Sequence, residues 1–252
     1  MNANTVILRT QARLFLREPA NVFFALLFPA LLLLAIGLAI PGMRDPITEG
    51  ALAGSGVRPV DLYMTAVLAL AVATIALTTY PQVFAIYREK GVLRRLRTTP
   101  MPASRLLVAE IVVNLAALVV GVALALVVAF GVFRVEAPTQ PLVVVLALVL
   151  GAVSMMALGS LVTALAPSTG AASAMGMSLY FPMLFFGGVW VSVALMPDTL
   201  RTIATYVPLG AVAQALNEGW FGGEGFPLHQ LVVSVVWTAI LVPLAARLFR
   251  WE

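Results

Sequence analysis

The chain has 252 residues, of which 62% are hydrophobic and 10% charged, and its mean hydropathy is +1.03. A soluble domain carries about 25% charged residues, so this composition excludes an ordinary water-soluble fold and points to an integral membrane protein. The formal net charge is +4, and the absence of Cys removes disulfides, thiolate metal sites and cysteine nucleophiles together.

In chain order, the first feature is a basic amphipathic stretch over residues 5–20. Arg9, Arg13 and Arg17 form one stripe of a helical wheel, while Ile7, Leu8, Leu14 and Phe15 lie on another face. That pattern describes a helix lying in the membrane interface, ended by Pro19. The apolar run that follows is longer than a signal-peptide core and twenty residues precede it, so a cleaved leader is not expected.

About 20 apolar residues cross a bilayer, and six segments reach that length. They are Val22–Ile40, Leu62–Phe84, Leu106–Phe133, Pro141–Ala166, Ala171–Val191 and Leu228–Phe249. An even number of spans puts Arg9, Arg13, Arg17, Arg88, Lys90, Arg94, Arg95, Arg97, Arg105, Arg247 and Arg250 on one face, against only Arg44, Arg58, Arg134 and Arg201 on the other. The excess of Lys and Arg marks the cytoplasmic side, so both termini are expected there. Cations of this kind favour anionic lipid as a partner, not nucleic acid.

Between the second and third spans runs REKGVLRRLRTTP, Arg88 to Pro100, in which five of thirteen residues are Lys or Arg. Gly91 is expected to break the preceding helix, a short helix to follow through Arg97, and Pro100 to stop it. Leu93 and Leu96 give that helix an apolar edge, while Arg94, Arg95 and Arg97 project outward. Charge alone fits a lipid anchor. A short delimited helix that also carries Glu89 and Thr99 fits a docking element for another protein.

In the third span Ala117, Gly121, Ala125 and Ala129 recur at four-residue spacing, as Ala172 and Gly176 do in the fifth, a pattern that permits close helix approach. Glu110 is the main ionisable residue within the spans, and an ion pair with Arg105 is expected to compensate it. The fifth span concentrates Met177, Tyr180, Phe181 and Phe185, adaptable side chains suited to a greasy substrate surface or to core packing. Residues 192–227 are too polar, and too punctuated by Pro197 and Pro208, for a span. Two half-helices dipping back from outside, with Asn217 in the second, fit that stretch.

Catalytic patterns are missing. There is no GxxxxGK[ST] phosphate loop, and His229 is the only histidine, placed as an interfacial residue. No metal site is expected, and no enzyme activity.

The basic leader, the segment REKGVLRRLRTTPM and the stretch LMPDTLRTIATYVPLGAVAQALNEGWFGG together resemble the permease subunit of type-2 ABC exporters, the family that includes daunorubicin-resistance-type drug efflux permeases. The resemblance spans the whole length. It implies one all-α integral membrane domain over residues 1–252, with six transmembrane helices, an amphipathic interfacial helix, a cytoplasmic coupling helix at 88–100 and an external re-entrant hairpin at 192–227. It further implies a separate cytosolic ATP-binding subunit that carries ATP and magnesium, and a second permease chain, identical or related. The first and fifth spans of the two permeases would meet near the substrate path. The expected function is export of a hydrophobic or amphipathic substrate across a bacterial-type inner membrane. The alternatives are an ATP-independent transporter or channel, and an assembly protein that recruits a cytosolic partner.

Overall fold

In a computed structural model, the chain is described over residues 3–48, 53–92, 104–193, 196–222 and 225–248, and these residues are helical without a strand. Nine helices are named here in chain order: α1 Ala3–Arg17, α2 Pro19–Ala39, α3 Pro59–Glu89, α4 Ser104–Gly131, α5 Pro141–Leu165, α6 Thr169–Phe186, α7 Asp198–Tyr206, α8 Pro208–Phe221 and α9 Leu228–Leu248. Five of them (α2, α3, α4, α5 and α9) are long and apolar enough to cross a membrane. Side chains such as Val119, Val127 and Leu142 are exposed on these helices, as lipid-facing residues are.

The expected fifth span, Ala171–Val191, is the shorter and less apolar α6. Its helix stops at Phe186 because Gly187 and Gly188 follow, and Gly188 takes φ +81, the left-handed conformation that closes a helix end. Pro19 and Pro208 each open a helix. A proline at the first helical position loses no needed hydrogen bond. The first span therefore begins at Pro19, earlier than expected.

The core is organised around α3. Of its most apolar stretch 94% is buried, whereas the other four long helices bury between 22% and 56%. Both α2 and α3 contain one π-turn, at Phe23–Leu27 and Ile75–Thr79, and a proline follows each turn, Pro29 and Pro81. Those prolines lack the N–H that an α-helix would send to the carbonyls of Ala25 and Leu77. A glycine from a neighbouring helix closes on each of these carbonyls. Gly121 of α4 meets Ala25 O, Gly176 of α6 meets Leu77 O, and Gly159 of α5 meets Ala76 O one residue away. Only a residue without a Cβ permits backbones to approach this closely, and Cα–H groups so placed are weak partners for a carbonyl without its usual donor. The small-residue stripes are thus helix contacts, with Ala117, Ala125, Ala129 and Ala172 buried beside the glycines.

Helices α7 and α8 form a hairpin joined at Val207. Residues 9 and 14 in number make them about 14 and 21 Å long, too short to cross. α8 is almost wholly buried between α3, α5 and α9. Trp220 Nε1 donates to the Glu136 carbonyl (2.9 Å), and Trp237 Nε1 of α9 donates to the Tyr206 carbonyl (2.8 Å). His229 is exposed, its ring edge-on to Tyr206.

Candidate functional site

The described part of the basic segment is its root, Arg88 to Val92, at the end of α3. The helix closes as expected: Lys90 N–H donates to Ile86 O (2.9 Å), Gly91 N–H donates to Arg88 O (3.1 Å), and Gly91 takes φ +65. Leu93, Arg94, Arg95, Leu96, Arg97, Thr99 and Pro100 lie outside the described residues.

At this root, two adjacent side chains of opposite charge reach two different helix ends. Arg88 Nη1 donates to the carbonyls of Thr163 (3.1 Å) and Ala166 at the C-terminus of α5. The Glu89 carboxylate accepts from Thr169 N–H (2.7 Å) and from Thr169 Oγ1 (3.0 Å) at the N-terminus of α6. The signs match the helix macrodipole, which is negative at a C-terminus and positive at an N-terminus. Ser168, the N-cap, adds its own bond from Ala171 N–H (3.2 Å). The turn between α5 and α6 is therefore held from outside by α3, through orphan groups that helix ends always present.

α1 joins the same end. Its buried face is Gln11 and Phe15, and Tyr87 Oη donates to Gln11 Oε1 (2.6 Å). Arg9, Arg13 and Arg17 are exposed, as the helical wheel requires. Leu8 and Leu14, on the apolar side of the wheel, are exposed as well, as they are on a helix lying in a membrane interface. Gln11 is buried near Phe15, where Tyr87 supplies it with a donor.

From this root α3 carries polar ties along its length. Tyr80 Oη lies 3.0 Å from Ser160 Oγ of α5, Thr74 Oγ1 lies 2.9 Å from Tyr180 Oη of α6, and Thr65 Oγ1 lies 2.8 Å from Asn217 Oδ1 of α8. Asn217 thus fastens the hairpin to α3. At the far end Arg58 and Asp61 cap α3 with a 2.6 Å ion pair. Its hydrogen bond to Asp61 raises the Arg58 guanidinium above its ordinary value, against an opposing effect of partial burial.

Two expectations change. Glu110 does not pair with Arg105, which is exposed; its Oε1 accepts from Asn114 Nδ2 (2.9 Å), and Glu110 is 2% exposed. Asn114 at i+4 is the nearer donor on the helix face. Second, Met177, Tyr180, Phe181 and Phe185 do not form one surface. Met177 and Phe181 face outward and Phe185 is half-buried, whereas Tyr180 turns inward to Thr74. Pro197 stands at the N-cap of α7, and Pro208 is the first residue of α8. Gln11, Tyr87, Asn114, Thr163 and Thr169 were not singled out in the sequence. Only the i, i+4 spacing of Glu110 and Asn114 could have signalled one of these contacts.

The architecture defines a helical, multi-pass integral membrane protein built on one buried central helix. The ABC-2 type transporter family model matches residues 2–221, and the chain belongs to that family. It is a transmembrane permease of an ABC transporter, a family that typically pairs with an ATP-binding subunit. Comparison with curated proteins gives no match.

Proposed function

We propose that the chain is the membrane subunit of an ATP-driven exporter that moves a hydrophobic or amphipathic substrate, drug-like or lipid, outward. A separate cytosolic ATPase, holding ATP and magnesium, docks on Arg88–Pro100 and on α1. The observation that carries this reading is the Arg88–Glu89 root. A force applied to the basic segment reaches α5 and α6 directly, and α3 conveys it over about 35 Å from Arg88 to Thr65, which holds Asn217 and the hairpin. Two discrete packings of such a bundle transmit a push as rigid-body motion.

In this reading α6, extended by residues up to Val191, is the fifth of six spans, both termini are cytoplasmic, and the hairpin α7–α8 re-enters from outside. The membrane is a bacterial-type inner membrane, and a second permease, identical or related, completes the path. The test is charge reversal at Arg94→Glu with Arg95→Glu. Co-purification with the co-expressed ATP-binding subunit should fall at least tenfold while membrane insertion is unchanged. Undiminished co-purification refutes the docking surface.

A further inference from the structure

Beside the root lies a cavity of about 260 Å³ between α1, the start of α2, the end of α3 and α4, near the lower end of ordinary ligand pockets. Its wall is mixed. Phe15, Val83 and Ile86 supply apolar surface, and Gln11, Tyr87 and Glu110 supply polar groups. Leu14 and Ala20 line it and are exposed, so the cavity opens beside α1, the amphipathic helix. Glu18 and Lys90 stand at this exposed mouth with opposite charges.

Glu110 is the unusual element. A carboxylate on a membrane helix is costly to bury, on the order of 3 kcal/mol, and it is retained where it faces a cavity or a partner. Among the described residues the ion pairs are Arg58–Asp61 and Arg201–Asp198, so no cation of these residues neutralises Glu110. Its donor is the neutral Asn114, whose own Oδ1 is buried without a hydrogen-bond partner. This corner of α4 is therefore rich in acceptors and short of donors, the reverse of an anion site. Two aromatic side chains, Phe15 and Tyr87, line the same cavity, and aromatic rings attract cations once water is excluded.

We propose that this cavity binds the ammonium head of an amphipathic amine, with Glu110 as its counter-ion and the apolar tail leaving past Leu14 into the lipid. The inference deepens the exporter reading, on which the cavity faces the cytoplasmic leaflet, by naming the charge and shape of what is bound. Anionic amphiphiles are disfavoured because Glu110 lines the pocket and, among the described residues, forms no ion pair.

The test uses the full chain alone, in phosphatidylglycerol nanodiscs, without ATPase or nucleotide. Saturable binding of tritiated decylammonium, whose three N–H groups are donors, is read by scintillation proximity. Glu110→Gln keeps a hydrogen-bonding partner for Asn114 and should weaken binding at least tenfold. Arg105→Gln, a change of nearby exposed charge, should leave binding within twofold. Ile86→Trp fills the apolar part of the cavity and should also abolish binding with Glu110 intact. Unchanged binding in Glu110→Gln overturns the proposal, as does equal displacement of the probe by neutral decyl glucoside. Displacement by phosphatidylethanolamine added to the nanodisc identifies a lipid headgroup as the bound amine. No displacement by that lipid identifies a free amine, and either supports the site. Because no ATPase is present, unchanged probe binding in Glu110→Gln overturns this site alone, and undiminished co-purification of the Arg94→Glu, Arg95→Glu chain overturns the docking reading alone.

Discussion

Replacing Glu89 by Ala removes every acceptor that α3 offers to Thr169. The bonds at stake are one N–H bond of 2.7 Å and one hydroxyl bond of 3.0 Å to a charged oxygen. A helix N-terminal cap contributes about 1 kcal/mol, and the macrodipole interaction of an exposed charge adds 0.3–1 kcal/mol, roughly. Glu89 is exposed, so solvent screening keeps the sum nearer 1 than 2 kcal/mol, by order of magnitude. About 1 kcal/mol corresponds to a fivefold change in a local opening equilibrium. Hydrogen–deuterium exchange of a peptide covering Thr169–Ala172 should accelerate about fivefold in Glu89→Ala, and less in Glu89→Gln, which keeps an acceptor. Exchange elsewhere in α6 and in α5 should stay near the wild-type rate. If the Thr169 peptide exchanges at its wild-type rate, or if the whole chain loosens uniformly, Glu89 is not the cap of α6 and the root does not grip that helix.

Gly159→Ala places a methyl group against the Ala76 carbonyl, backbone against backbone. Overpacking of that kind costs about 1–3 kcal/mol and should lower the denaturation midpoint in detergent, while Gly131→Ala, with open space around it, should not. Tyr87→Phe leaves the buried Gln11 without its donor at a cost of about 1–2 kcal/mol. α1 should then be cut faster by trypsin at Arg13 and Arg17, an effect that an unchanged cleavage rate would disprove. Asp61→Asn weakens the cap of α3 and its ion pair with Arg58. A loss of about 1 kcal/mol should appear as a lower melting temperature, and an identical melting curve would count against the cap.

Much of the bundle was legible because hydrocarbon imposes a simple demand on sequence. Long apolar runs placed α2, α3, α4, α5 and α9 within a few residues, and the Arg9–Arg13–Arg17 stripe placed α1. α6 was harder, since its Ser, Thr, Gly and Pro residues dilute the apolar signal of an 18-residue helix. The break at Gly91 could be read from residue type, because few other residues adopt its backbone angle. The root itself could not. Arg88 and Glu89 looked like two members of a charge cluster, and their partners lie some 75–80 residues further along the chain. Helix ends are recipients of charge whatever their side chains are, so no residue at 163–169 advertises the contact. Glu110 was noticed for its charge and assigned the wrong partner, because spacing along one helix says nothing about which groups water still reaches.

The three glycine–carbonyl contacts carry a mechanical consequence. Where two backbones touch without side chains between them, nothing interlocks, so the helices can turn about the point of contact but cannot close further. Gly121, Gly159 and Gly176 thus set three fulcrums on α2 and α3, at Ala25, Ala76 and Leu77. Spin labels flanking each fulcrum should keep their separation between nucleotide states of the assembled transporter, while labels at the ends of the same helices change theirs.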